Sequence, residues 1–168
     1  MSINPGITTM SDGMKSGRIL TLLLLPLLAL AASCASVGQG GLQGELNQAR
    51  SNWRVTSPAS YVYRYQLSCF CPRELVQPVL ITVRNARIDS VVYADTHQPV
   101  DPQHLRNFHT IDELFDMLQE AISRDPYEMA ASYDPSFGYP TSATIDYDEK
   151  MADEEMRFVA DSLRLLED

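Results

Sequence analysis

Residues 60–71 read Ser60-Tyr61-Val62-Tyr63-Arg64-Tyr65-Gln66-Leu67-Ser68-Cys69-Phe70-Cys71, and this stretch decides the fold. Tyr61, Tyr63, Tyr65, Leu67, Cys69 and Cys71 take the odd positions, while Arg64, Gln66 and Ser68 take even ones. Successive side chains of a β-strand point to opposite faces, so the alternation predicts a strand with its odd face buried, ended by Pro72. Val79–Arg84 and Arg87–Tyr93 are two more β-rich runs, separated by Asn85-Ala86. Asparagine tolerates positive φ, so a tight hairpin is expected there.

Working outward, Leu42, Leu46, Ala49 and Trp53 recur at i, i+4, i+7 and i+11. That is the apolar stripe of one helix, stopping near Ser57-Pro58. Residues 94–109, with Pro99 and Pro102, read as a loop. Thr110-Ile111-Asp112-Glu113 is a capping box, and Ile111, Leu114, Phe115, Leu118 and Ile122 form the stripe of a second helix, closed by Asp125-Pro126. Tyr127 to Tyr133 and Thr141 to Tyr147 alternate as strands around the turn-rich Asp134–Pro140 segment. Met156 to Leu166 reads as a last strand, with a helix as the alternative. The expected fold class is α+β: an antiparallel sheet of five to six strands with two helices packed on one face. The two halves of the chain are only loosely similar and make no convincing repeat.

Ahead of the domain, Lys15 and Arg18 precede an apolar run from Ile19 to Ala32, then Ala31-Ala32-Ser33-Cys34. The run is shorter than the ~20 residues that cross a bilayer, so it reads as a secretory signal. Met14 suits a start better than Met1, because it places the charges directly before the run. The cleavage region resembles the lipobox of bacterial lipoproteins, in which the cysteine, here Cys34, is lipidated. Ala31 stands where that pattern prefers Leu, and plain secretion after Ala29-Leu30-Ala31 is the alternative. Ala35, and not Asp, follows the cysteine, which favours the outer membrane. The expected organisation is a signal peptide over 1–33, a flexible tether over 34–42 and a single α+β domain over 43–168. The protein is then exported to the cell envelope, lipid-anchored, and facing the periplasm or the surface.

The chain carries a net charge of −9, from 13 basic and 22 acidic residues. Residues 34–110 hold seven basic and five acidic side chains, and residues 111–168 hold four and sixteen. So acidic a second half argues against nucleic acid and against a polybasic membrane face. It allows a cationic partner or a divalent metal, although solubility alone explains it.

Three stretches carry a family resemblance: Tyr61-Val62-Tyr63 leading to Cys69-Phe70-Cys71-Pro72; Tyr133-Asp134-Pro135-Ser136-Phe137-Gly138-Tyr139-Pro140; and Ile145-Asp146-Tyr147 followed by Ala152-Asp153-Glu154-Glu155. Together they resemble the exported bacterial proteins grouped as domain of unknown function 6174, over about residues 45–165. Ala86 departs from the hairpin glycine usual in such families. The resemblance implies an envelope location and domain limits, and no activity.

Four constellations could carry chemistry. Cys69 and Cys71 are the even pair left after Cys34 is lipidated, in an oxidising compartment. On a regular strand their Cα atoms lie about 6.5–7 Å apart, at the limit for a bridge, so a disulfide needs a local kink. A structural disulfide, a labile redox disulfide and a soft-metal site stay open. Asp146, Asp148, Glu149, Asp153, Glu154 and Glu155 offer hard oxygens suited to Ca²⁺, but Lys150 and the lack of a glycine break the EF-hand pattern; a solvated acidic turn is the plainer reading. Tyr61, Tyr63, Tyr65, Tyr133, Phe137, Tyr139 and Tyr147 are either core or a groove that stacks sugars or peptides. His97, His104 and His109 lack the spacing of a catalytic or metal set.

The function read from the chain is a non-catalytic binding or accessory module. Its expected contact residues are Tyr133, Asp134, Phe137, Tyr139, Asp146 and Asp153. The expected partner is an envelope protein or a glycan, with membrane contact through the lipid anchor only and no cofactor beyond Ca²⁺ at the acidic segment. The alternatives are a thiol or soft-metal protein acting through Cys69 and Cys71, and a hydrolase pairing carboxylates such as Asp134 and Asp146.

Overall fold

The structure is a computed structural model that describes residues 39–151 and 153–167. Helix α1 spans Gln39–Thr56 and leads into strand β1, Ser60–Ser68. A single turn of helix, α2 (Arg73–Val76), connects to the hairpin β2 (Val79–Arg84) and β3 (Arg87–Tyr93). A 3₁₀ helix over Pro102–Asn107 precedes α3, Ile111–Ser123. Three strands follow: β4 (Glu128–Tyr133), β5 (Pro140–Asp146) and β6 (Met156–Leu165).

The six strands form one antiparallel sheet in the order β3-β2-β1-β6-β5-β4. The chain runs outward from β1 to one edge and crosses by α3 to the other. It then walks back until β6 pairs with β1. Each half is thus a helix followed by a three-stranded meander, a closer likeness in element order than the sequence suggests.

The odd residues of β1 face the helices, as their alternation requires. Tyr61, Tyr63 and Tyr65 are buried with Val79, Ile81, Val83, Ala143, Ile145 and Phe158 from neighbouring strands. From the other layer come Leu46 and Trp53 of α1 and Ile111, Leu114, Phe115 and Leu118 of α3. The Trp53 and Tyr61 rings meet edge to face at 5.5 Å. The phenols of β1 also reach polar partners. Tyr61 Oη accepts the Ile111 N–H at 3.0 Å, an otherwise orphaned donor in the first turn of α3, and Tyr63 Oη donates to the His109 carbonyl. Burial raises the pKa of both phenols, so they stay neutral.

The capping box of α3 forms as its sequence predicts. Thr110 Oγ1 accepts the Glu113 N–H at 3.2 Å, and Glu113 accepts the Thr110 N–H at 2.7 Å. The β2–β3 turn has positive φ at both Asn85 (50°) and Ala86 (59°), the arrangement of a type I′ hairpin. Residues 156–165 are a strand, which decides between the two readings of that segment.

Three local expectations change. The helix begins at Gln39, three residues ahead of Leu42, the first residue of its apolar stripe, and so takes in part of the expected tether. β1 stops at Ser68, before the cysteines. Part of the 94–109 loop is helical, because Asp101 caps it by accepting the Gln103 N–H at 2.9 Å and Pro102 suits a first helical position.

Candidate functional site

The motif Tyr133–Pro140 connects β4 to β5, and it is built mainly inward. Asp134 Oδ1 accepts the N–H groups of Ser136 at 2.9 Å and Phe137 at 2.7 Å, while the Asp134 carbonyl accepts the Gly138 N–H at 2.9 Å. This is an aspartate turn closing on itself. Gly138 has φ +86°, and a Cβ there would lie 2.5 Å from the Ala49 carbonyl oxygen. The loop therefore presses on the backbone of α1 where only glycine fits. Thr56 Oγ1 donates to the Phe137 carbonyl at 2.9 Å and Asn52 Nδ2 to the Ser136 carbonyl at 3.4 Å.

The aromatic residues of the motif divide accordingly. Tyr139 is buried against Trp53, with ring centres 6.3 Å apart, so it belongs to the core where the sequence suggested a contact residue. Phe137 is half-buried against the same core. Tyr133 stacks on Phe115 at 6.3 Å and 8° between planes. Arg50 lies over the Phe115 ring at 5.4 Å and pairs with Asp116 at 3.0 Å. Tyr61, Tyr63 and Tyr65 are core as well, whereas Tyr133, Phe137 and Tyr147 are only partly buried.

Between this loop and α1 runs an open cleft of about 770 Å³. Its walls are Glu45, Gln48 and Asn52 of α1 against Ser132, Tyr133 and Asp134. Among its lining residues are two carboxylates and no basic side chain. β4 is the terminal strand of the sheet, so its outer backbone groups have no neighbouring strand among the described residues. Burial, with the Glu45 carboxylate adding and Arg50 opposing, pushes the Tyr133 phenol up to about 12; it is a neutral hydrogen-bonding group at every physiological pH. Sequence reasoning missed Glu45, Gln48 and Asn52. They lie on the polar side of an amphipathic helix, and nothing local distinguishes them from ordinary solvated residues.

The acidic candidates lie elsewhere. Asp134 and Asp146 stand before and at the end of the seven-residue β5, about 20 Å apart along the strand. These two do not form a carboxylate pair with one another. Asp146 accepts the Asp148 N–H at 3.0 Å and Asp148 the Lys150 N–H at 2.9 Å, so both shape the β5–β6 turn. Asp153 is exposed in the same connection. Among the described residues no three His, Cys, Asp or Glu side chains converge as a metal set.

Cys69 and Cys71 form a disulfide with Cα atoms 5.2 Å apart. The bridge fits because β1 has already ended, and the Cys71 N–H donates to the Cys69 carbonyl at 2.9 Å in a tight turn. Phe70, between the cysteines, is 86% exposed. Cys34 lies outside the described residues.

The fold and the cleft define a small two-layer α+β domain with a polar, acid-lined groove beside its edge strand. The chain belongs to the Family of unknown function (DUF6174), whose model matches residues 45–165. No curated protein and no solved structure matches it.

Proposed function

We propose that the protein is a non-catalytic envelope lipoprotein, held by lipid on Cys34, that binds a partner protein in the cleft between α1 and β4. The observation that carries the binding reading is the combination of two carboxylates, Glu45 and Asp134, with the free edge of β4 in one open groove. Such a groove suits an extended, cationic segment, whose backbone pairs with the edge strand while its basic side chains meet the acids. A glycan is the weaker occupant, because among the described residues Tyr133 is the one ring lining the cleft and Phe115 already covers a face of it.

The export reading rests on the basic-apolar-small order ending at Cys34. The intact mass of protein isolated from membranes tests it: cleavage before Cys34 with added lipid is the expected result, and an unlipidated mass defeats it. For the cleft, a photo-crosslinking residue is placed at Gln48 in cells, and at Thr144 on the opposite sheet face as control. A discrete adduct at Gln48 that Glu45→Lys abolishes, with none at Thr144, is expected. Equal labelling at both positions, or indifference to Glu45→Lys, defeats the binding reading.

A redox role for Cys69–Cys71 makes a different forecast, namely a reduction potential well above the roughly −300 mV of structural disulfides.

A further inference from the structure

Six large apolar side chains stand exposed among the described residues, and three of them, Phe70, Tyr127 and Met151, gather at one end of the sheet. The register shows why. Ser68 pairs with Arg157, Ile145 with Met156, and Glu128 with Asp146, so the end of β1, the start of β6, the end of β5 and the start of β4 form one row. With strands 4.7–4.9 Å apart, that row is about 14 Å long. Phe70 follows β1, Met151 lies between β5 and β6, and Tyr127 precedes β4.

The amino end of α1 lies at this same end. Gln43 bonds Gln119, near the carboxyl end of α3, at 2.8 Å, and Arg124 just beyond α3 covers the ring of Tyr147, just beyond β5, at 4.0 Å. The carboxyl end of α1 is opposite, where Thr56 reaches Phe137.

Chain length then limits orientation. Cys34 precedes Gln39 by five residues, which span at most about 18 Å fully extended. The 18-residue α1 is about 27 Å long. Turning the far end of the domain to a bilayer would lift the amino end of α1 beyond the reach of that segment. The near end, with its exposed apolar side chains, stays within reach, and aromatic groups such as Tyr127 favour the membrane interface.

We propose that this end of the domain rests on the bilayer that holds the anchor, with Phe70, presented by the Cys69–Cys71 loop, entering the interface. The inference rests on lipidation of Cys34. Glu128, Asp146, Asp148 and Glu149 share this end, so the matching surface is zwitterionic and not anionic.

The test uses the lipidated protein reconstituted in phosphatidylcholine vesicles, with or without lipid brominated along the acyl chain. Trp53 is the single tryptophan and is 1% exposed, so it supplies an inert background. Phe70→Trp reports the near end, Tyr127→Trp is the second probe should the first disturb the loop, and Val55→Trp reports the far end. Loss of emission to brominated lipid at Phe70→Trp and Tyr127→Trp, with none at Val55→Trp, is expected. No loss at the near-end probes, or equal loss at both ends, overturns the orientation while leaving the anchor intact. Intact mass on the same sample separates the two failures: a mass without lipid removes the anchor and this inference together.

Discussion

The two loops with the most unusual sequences in this protein behave in opposite ways. Asp134–Tyr139 is tied at nearly every residue: two N–H groups to its own aspartate, two carbonyls to α1, a glycine against helix backbone and a tyrosine in the core. Cys69–Cys71 is tied chiefly to itself, through one disulfide and one turn hydrogen bond, and leaves Phe70 in solvent. The difference teaches that a dense turn motif is no sign of a contact surface. The first loop spends its residues on architecture and offers only one wall of a cleft, whereas the second presents an apolar side chain that its own fold does not use.

The largest test of this contrast is Gly138→Ala. The new Cβ would meet Ala49 O at 2.5 Å, Asn52 Cβ at 2.9 Å and Trp53 N at 3.0 Å, at a φ of +86°. A loss of about 3 kcal/mol in urea unfolding is expected. A loss near zero would mean that the loop is not seated on α1. Next, Cys69→Ser with Cys71→Ser opens a very small ring, which costs about 1–2 kcal/mol in the chain-entropy model. A cost as large as that of Gly138→Ala would show that the second loop supports the fold after all.

Asp134→Ala removes the acceptor of two N–H groups and is expected to cost about 1 kcal/mol, seen as a lowered melting temperature. Ala86→Gly runs the other way. The β2–β3 turn holds Ala86 at φ 59° in an exposed position, so glycine there should raise stability by up to about 1 kcal/mol. Two left-handed positions thus give opposite signs, because glycine occupies the crowded one and alanine the open one. The smallest effect belongs to Phe70→Ser, expected within about 0.5 kcal/mol by denaturation. A larger loss would mean that Phe70 packs somewhere in the folded protein.

Much of the fold was legible because its signals are local. The odd-position tyrosines of β1, the capping box at Thr110 and the Asn85-Ala86 turn each follow from the chain's own geometry within a few residues. The short helices were harder, since the single turn Arg73–Val76 and the 3₁₀ segment behind Asp101-Pro102 carry too few residues for a period. The candidate site was legible only in part. Tyr133 and Asp134 line the cleft, Tyr139 lies in the core, and Asp146 and Asp153 lie at the far end of the β4–β5 hairpin or beyond it. Glu45, Gln48 and Asn52 became cleft residues only because α1 packs beside β4.

What the chain determined alone is therefore the set of elements, their buried faces and their caps, since periodicity and hydrogen-bonding chemistry act over one or two turns. Strand order, the cleft and the outward turn of Phe70 were decided by the tertiary structure. They depend on contacts such as Thr56 with Phe137, 81 residues apart, where many pairings satisfy local rules equally and only the shared core selects one.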